Sequence, residues 1–368
     1  VNILYFTRDF SVHDARFLKA LVRTRHKVHF LRLVPKTDLK GKIPKGVKEL
    51  PFRNTKTEPA WWQYRTLARK FKELIKNQKF DVVHAGPIPR VALIPALAGF
   101  SHLVSMSWGS DLLYWVQRSP IQKTLTRYTL KRSQVLVGDC EAVRAAGEDF
   151  GMPREKFVLF PWGVDIEHFS PGDGNALRRR LGWQKNFVVL CVRSWERIYG
   201  VDVVLKAFRE ALQHQPGIRL LLLGSGSQRR NLEGYIRKHG LNESITTPGI
   251  ITQEKLPMYY RAADLYVSAS HCDGSSVSLL EALSCGLPAL VSDIPANLEW
   301  VSQGKTGWLF PDGDHHALAK EMVRIKRQQE KRTKMKSTCR KMIVERADWG
   351  KNSKLLLKAY EMAMEGSS

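Results

Sequence analysis

Two carboxylates define the chemistry to look for: Asp273 and Glu281, with seven residues between them in the stretch HCDGSSVSLLEALSCGLPALVSD at 271–293. After the first come Gly274, Ser275 and Ser276, which offer side-chain oxygens and a pliant backbone where a helix should begin. A helix start exposes N–H groups and so suits phosphate. Val277, Leu279, Leu280, Ala282 and Leu283 make that helix apolar on most sides until Cys285-Gly286 stops it, and 287–292 reads as a buried strand. A carboxylate such as Glu281 inside an apolar helix is costly unless something hydrogen-bonds it. At about 1.5 Å per residue it lies roughly 9 Å from the turn. That is the order of distance between the diphosphate and the sugar hydroxyls of one nucleotide.

The elements that must position these groups follow an α/β pattern. Strand candidates at 1–6, 27–33, 82–84, 103–106 and 134–138 alternate with amphipathic segments such as 14–23 and 63–76. A Pro- and Gly-rich passage at 161–183, PWGVDIEHFSPGDGNALRRRLGW, reads as a connector. The pattern then restarts, with strands expected at 187–192, 218–223, 244–246, 265–268, 289–292 and 307–310. The economical architecture is two doubly wound, Rossmann-like domains facing each other across a cleft, 1–170 and 171–349, with 350–368 packing back on the first. Ligands in such sheets sit beyond the carboxyl ends of the strands, where the loops 193–200 and 271–276 would lie. The stretch 317–365 is helical in pattern, and its basic run 326–340 reads as a solvated helix face.

At 368 residues the chain is long enough for two full cores. Its 59 Lys and Arg against 35 Asp and Glu give a net charge of +24, which favours an anionic partner without choosing among nucleic acid, acidic lipid and phosphorylated substrates. The five cysteines are scattered, with no C-x-x-C pair, so neither a zinc site nor a disulfide framework is expected and a reducing cytoplasm fits best. No apolar stretch approaches the roughly 20 residues of a membrane span, and the first residues read as a strand and not as a signal peptide.

The assembled motifs resemble the retaining GT-B glycosyltransferases of the GT4 (group 1) type. The resemblance rests on Asp273-x7-Glu281 with LLEALSCGLPALVSD, PWGVD at 161–165 with Phe169 and Pro171, and LLLGSG at 221–226. It is extended by Pro248-Gly249-Ile250, LPMYYRAADLYVSAS at 256–270 and GKTGWLFPDGD at 304–314, and more weakly by DVVHAG at 81–86 and WGSD at 108–111. The resemblance implies transfer of a sugar from a nucleoside diphosphate sugar, of UDP or GDP type, to a glycan, lipid-linked or small-molecule acceptor. It implies retained anomeric configuration and no metal or other cofactor. Asp273 then takes the place of the acid that binds donor-sugar hydroxyls, one methylene shorter than the family's glutamate, and Glu281 that of the ribose ligand. Arg193 would meet the diphosphate with its planar fork, together with Gly224, Gly274, Ser275, Ser276 and Val277, while Ile250 lines the nucleotide.

The sequence departs from that family in two places. Where members usually place a lysine before the glycine opening a helix, this chain has Ile198-Tyr199-Gly200, and Arg197 is either its substitute or a surface residue. Trp108 stands where a histidine is common, before Gly109, and Asp111 either orients an acceptor hydroxyl as a catalytic group or caps the helix starting at Leu112. His13, Asp14 and Arg16 are candidates for acceptor contact, and His84 is either another or a hydrogen-bonded structural histidine. Asp312-Gly313-Asp314 has metal-site spacing but reads as a turn into a helix. Trp61, Trp62 and Tyr64 before Arg65, Arg69, Lys70 and Lys72, with the apolar run 91–100, suit either a peripheral membrane contact at the inner face or a core-packed helix with a basic outer face. The missing lysine and histidine leave a second reading, a nucleotide-sugar-binding protein without catalysis. A nucleic-acid binder is suggested by charge alone, with no recognisable module.

Overall fold

In the computed structural model, which describes residues 1–34, 42–52 and 57–366, the chain divides into two units. One comprises Val1–Pro161 with Lys351–Ser368, the other Trp162–Gly350. Each is a parallel sheet covered by helices.

The first sheet contains β1 (Asn2–Thr7), β2 (Lys27–Arg32), β3 (Val47–Glu49), β4 (Val82–Gly86), β5 (Leu103–Met106), β6 (Val135–Gly138) and β7 (Phe157–Leu159) in the order β3-β2-β1-β4-β5-β6-β7. Every pairing is parallel, so the central strands are buried on both faces and read as continuous apolar runs. The order reverses between β1 and β4, which opens a crevice at their carboxyl ends. Helix Leu355–Glu365 belongs to this unit, burying Leu356, Ala359, Tyr360 and Ala363. Residues 367 and 368 of the tail lie outside the described residues.

The second sheet contains β8 (Phe187–Val192), β9 (Ile218–Leu223), β10 (Ile245–Gly249), β11 (Leu265–Ser268), β12 (Ala289–Ser292) and β13 (Gly307–Phe310), ordered β10-β9-β8-β11-β12-β13. Its reversal lies between β8 and β11. The loops that follow these two strands carry Arg193 and Asp273.

Three features differ from the sequence pattern. Strands β3 and β7 were not expected, because each is three residues long and β3 exposes Lys48 and Glu49 at the sheet edge. Strand β10 runs on through Pro248, which an edge strand tolerates. The units divide before Trp162 and not after 170, because 163–169 is built into the second unit: Val164 exchanges backbone hydrogen bonds with Ala347 and Trp349, and Phe169 enters the core.

Most of the basic run lies on helix Gln329–Arg346, which buries Met335, Cys339 and Ile343 and turns most of its cations to solvent. Arg332 and Arg340 are exceptions: Arg332 is buried with its guanidinium against the Phe187 ring and donates to the carbonyl oxygen of Lys326 at 2.9 Å, and Arg340 is half-buried and donates to the carbonyl oxygen of Phe169 at 2.9 Å. The apolar run 91–100 is core of the first unit, with Val91, Leu93 and Ile94 fully buried. Among the described residues no helix is long and apolar enough to cross a membrane.

Candidate functional site

The second unit gathers the charged residues singled out by sequence. Arg193 directly follows β8, and its carbonyl oxygen lies so close to Gly224 that a Cβ there would sit 2.0 Å away. Gly224 also has φ +118°, a conformation that L side chains rarely adopt. The Arg193 guanidinium donates to Asp273 Oδ2 at 2.6 Å, Ser276 Oγ at 2.5 Å and Ser278 Oγ at 3.4 Å. Its Nε–H is buried with no acceptor among the described residues. Burial works against this cation, but Asp273, followed by Tyr266 and Tyr199, more than offsets it and raises the pKa.

Asp273 and Ser276 belong to the turn that opens helix Val277–Ser284. Asp273 Oδ1 accepts from the Gly274 N–H at 3.1 Å, and Ser275 Oγ accepts from Trp300 Nε1 at 3.2 Å. Gly274, Ser275 and Ser276 are buried, and Val277 is half-buried as the first helical residue. Ser276 occupies the N-cap position without a side-chain cap, since its hydroxyl is engaged by Arg193. Such a turn presents backbone N–H groups and the positive end of a helix beside a fixed guanidinium, an anion-binding arrangement.

Glu281 is buried two turns further along. The Tyr260 hydroxyl donates to its Oε2 at 2.7 Å, and Gln253 Nε2 approaches its Oε1 at 3.5 Å. Burial first, and then the Glu281 charge, raise the Tyr260 pKa well above its ordinary value, so the phenol stays a donor. Tyr260 and Gln253 were not singled out by sequence reasoning. The need for a partner was visible in an acid surrounded by Leu279, Leu280 and Leu283; its identity was not.

The remaining residues of this unit are placed less centrally. Ile250 follows β10 and is 74% exposed. Arg197 is exposed on the turn Arg197–Tyr199 and makes no ion pair among the described residues. Tyr199 occupies the position of the missing lysine, with its ring centre 4.1 Å from the Arg193 guanidinium carbon. In the Asp312-Gly313-Asp314 stretch, Asp314 caps helix His315–Lys326 through the Ala317 N–H, and Asp312 accepts from or pairs with His271 Nδ1 at 2.7 Å.

In the first unit, Asp111 is bound up in the fold. It is buried and already engaged, Oδ1 by Ser107 Oγ at 2.7 Å and the Trp108 N–H at 2.9 Å, Oδ2 by the Ile88 N–H at 2.9 Å. It ties two loops together. Burial raises its pKa against these bonds. Asp14 is likewise structural: it forms a capping box with Ser11, accepts from Tyr5 Oη at 3.1 Å, and is pushed up to about 6 by burial. His84 sits between Tyr360 Oη at 2.8 Å and Met106 Sδ at 3.2 Å and is lowered to about 3 by burial, which makes it a structural histidine. His13 packs beside Trp108, with ring centres 5.8 Å apart and a buried, unpartnered Nδ1; burial and then Arg16 lower it to about 4. Gly109 has φ +82°.

Comparison with known proteins assigns both units. Residues 173–342 match the family described as glycosyl transferases group 1, and residues 11–168 match glycosyltransferase family 4. The GDP-mannose-dependent alpha-(1-6)-phosphatidylinositol monomannoside mannosyltransferase of Mycolicibacterium smegmatis is 25% identical over 265 residues, 69% of this chain and 69% of that protein. The putative colanic acid biosynthesis glycosyltransferase WcaL of Escherichia coli K12 is 29% identical over 185 residues, 48% of this chain and 43% of that one. The chain thus spans less than half the length of this second relative. Among solved structures, Anabaena HepE in complex with UDP-glucose superposes with a TM-score of 0.80 at 19% identity, covering 98% of this chain and 99% of that one.

Proposed function

The chain belongs to the group 1, GT4-type glycosyltransferases of GT-B fold, and from that premise we propose that it moves a hexose from a nucleoside diphosphate sugar to a glycan or lipid-linked acceptor, with retention and without a metal. The observation that carries this reading is the Arg193 guanidinium held against Asp273 and Ser276 at the start of helix Val277–Ser284, with Glu281 buried behind it. Arg193 and the N–H groups of 274–277 bind the diphosphate, and Glu281 binds the ribose hydroxyls. Asp273 turns from Arg193 to a hydroxyl of the transferred sugar when donor enters. A cation kept at the leaving diphosphate stabilises the charge that develops as the glycosidic bond breaks.

The donor nucleoside is uridine or guanosine, as in the UDP-glucose complex and the GDP-mannose-dependent relative. The acceptor is bound by the first unit. A lipid-linked acceptor is favoured by the phosphatidylinositol substrate in the mycobacterial relative's name and by Trp62, 81% exposed at the start of the basic helix Tyr64–Asn77. Such an acceptor puts the protein at the inner face of the membrane, in peripheral contact.

The test is incubation of the protein with UDP-, GDP- and ADP-sugars and a panel of glycan and lipid acceptors, with and without chelator. Nucleotide release that survives the chelator and stops on Glu281→Ala supports the proposal; no release from any pair counts against catalysis. Complete loss on chelation counts against metal independence. Tyr199 in place of the family's lysine favours one other reading, donor binding without turnover, which calorimetric binding with no product would establish.

A further inference from the structure

We infer that Tyr199 is the positioning residue for Arg193, its aromatic face orienting the one guanidinium that meets the diphosphate. The inference rests on the reading of Arg193 as the diphosphate ligand. The turn carrying Tyr199 has little freedom. Gly200, at φ +57°, lies so close to the Ala269 carbonyl oxygen that a Cβ would approach it to 2.0 Å, and the His271 N–H donates to the Ile198 carbonyl at 2.9 Å. The turn is thereby pressed between the end of β11 and the loop bearing Asp273. From there the Tyr199 ring covers the guanidinium at 4.1 Å, while Asp273 and Ser276 hold its two terminal nitrogens. Ring and hydrogen-bond acceptors together set the orientation of the planar fork, the property that distinguishes arginine from lysine as a phosphate ligand.

The consequence concerns charge. Among the described residues Arg193 is balanced by Asp273, and Arg197 on the same turn points to solvent. The subsite therefore meets a nucleoside diphosphate with one oriented guanidinium and helix-start N–H groups, not with two side-chain cations. Its affinity depends on keeping that one group in place, and the cation–π contact is the part that a missing ring would remove.

The experiment measures UDP and GDP affinity by calorimetry, and sugar transfer, in the wild type and in Tyr199→Phe, Tyr199→Ala, Arg193→Ala and the Tyr199→Ala/Arg193→Ala double variant. Tyr199→Phe, which keeps the ring, should bind like the wild type. Tyr199→Ala should weaken binding roughly 2- to 30-fold, the range of a cation–π contact, and should cost nothing further once Arg193 is gone. An alanine variant that binds normally, a phenylalanine variant as weak as alanine, or an equal loss in the Arg193→Ala background would each overturn the inference. If Arg193→Ala leaves binding unchanged, or the wild type binds neither nucleotide, the diphosphate assignment is what has failed. A ligand-free measurement then still decides the contact: unfolding constants of the same four proteins should show coupling of roughly 2- to 30-fold between the two positions, and strict additivity would refute it.

Discussion

Replacing Tyr260 with phenylalanine isolates one hydrogen bond in the most buried part of the site. The ring would keep its edge contact with Phe169, whose centre is 5.9 Å away, while Glu281 Oε2 would lose a donor at 2.7 Å. Both side chains are buried, at 1% and 4% exposure, so water does not readily replace the phenol. A hydrogen bond to a charged group contributes about 1.5–3 kcal/mol. For a unit of this size that corresponds to a fall in melting temperature of roughly 3–12 °C. Chemical unfolding of the wild type, Tyr260→Phe, Glu281→Gln and the double variant gives the coupling directly, and about 1.5 kcal/mol or more is expected between the two positions. The loss should also appear as weaker nucleotide binding, because the hydroxyl orients the carboxylate assigned to ribose. A Tyr260→Phe variant within about 0.5 kcal/mol of the wild type, with unchanged nucleotide affinity, would show that Tyr260 neither supports nor aims Glu281.

Other consequences can be checked separately. The unfolded His84 takes up a proton near 6.5 and the folded one only near 3, so the unfolded state binds more protons in that interval and this contribution to stability, complete above pH 6.5, is lost as pH falls toward 3. Asp14, raised to about 6, acts in the opposite sense between about 4 and 6; comparison of wild type with His84→Gln removes it, and the variant's acid limb should be shallower by up to about 1.4 kcal/mol per pH unit. Gly224→Ala should destabilise by more than about 1 kcal/mol and weaken nucleotide binding by displacing Arg193, whereas Gly234→Ala, with open space around its Cβ within helix Arg229–Lys238, should stabilise by about 0.5–1 kcal/mol; calorimetric unfolding distinguishes the two signs. All five cysteines are buried and free, and burial pushes Cys191, Cys285 and Cys339 up to about 12. Native protein should therefore leave Ellman's reagent unreacted until denaturant exposes the thiols.

The parallel architecture was legible because buried parallel strands are near-continuous apolar runs: 187–192 and 218–223 cannot be solvent-facing in any fold. What escaped were elements stabilised by neighbours alone. Strand β3 shows no periodicity in Val47-Lys48-Glu49 and exists by pairing with β2. The stretch 163–169 looks like part of a linker because Pro161, Gly163, Pro171, Gly172 and Gly174 lie in or beside it, yet it is held by residues nearly two hundred positions away. In the site, Glu281 announced its need for a donor through its apolar surroundings, and Arg193 through its place at the end of a strand. Their partners did not, because the pairings Arg193–Asp273 and Tyr260–Glu281 span 80 and 21 residues, and the first arises only when β8 and β11 are neighbours. The partners of Asp111 were hidden for the same reason: one of its donors, Ile88, lies 23 residues upstream.

The return of helix Leu355–Glu365 to the first sheet bears on how the molecule is made. His84 and Tyr360 are separated by 276 residues, with the whole of Trp162–Gly350 between them. At about 5–20 residues per second a ribosome needs roughly 14–55 s to travel from one to the other. The unit begun first is therefore completed last. For that interval its strands stand without the helix that buries Leu356, Ala359 and Ala363 against them, while the second unit can already finish folding. Newly made chains are most exposed to aggregation and to chaperone capture in that waiting period, and the surface at risk is the face of β4 to β7 that the late helix will cover.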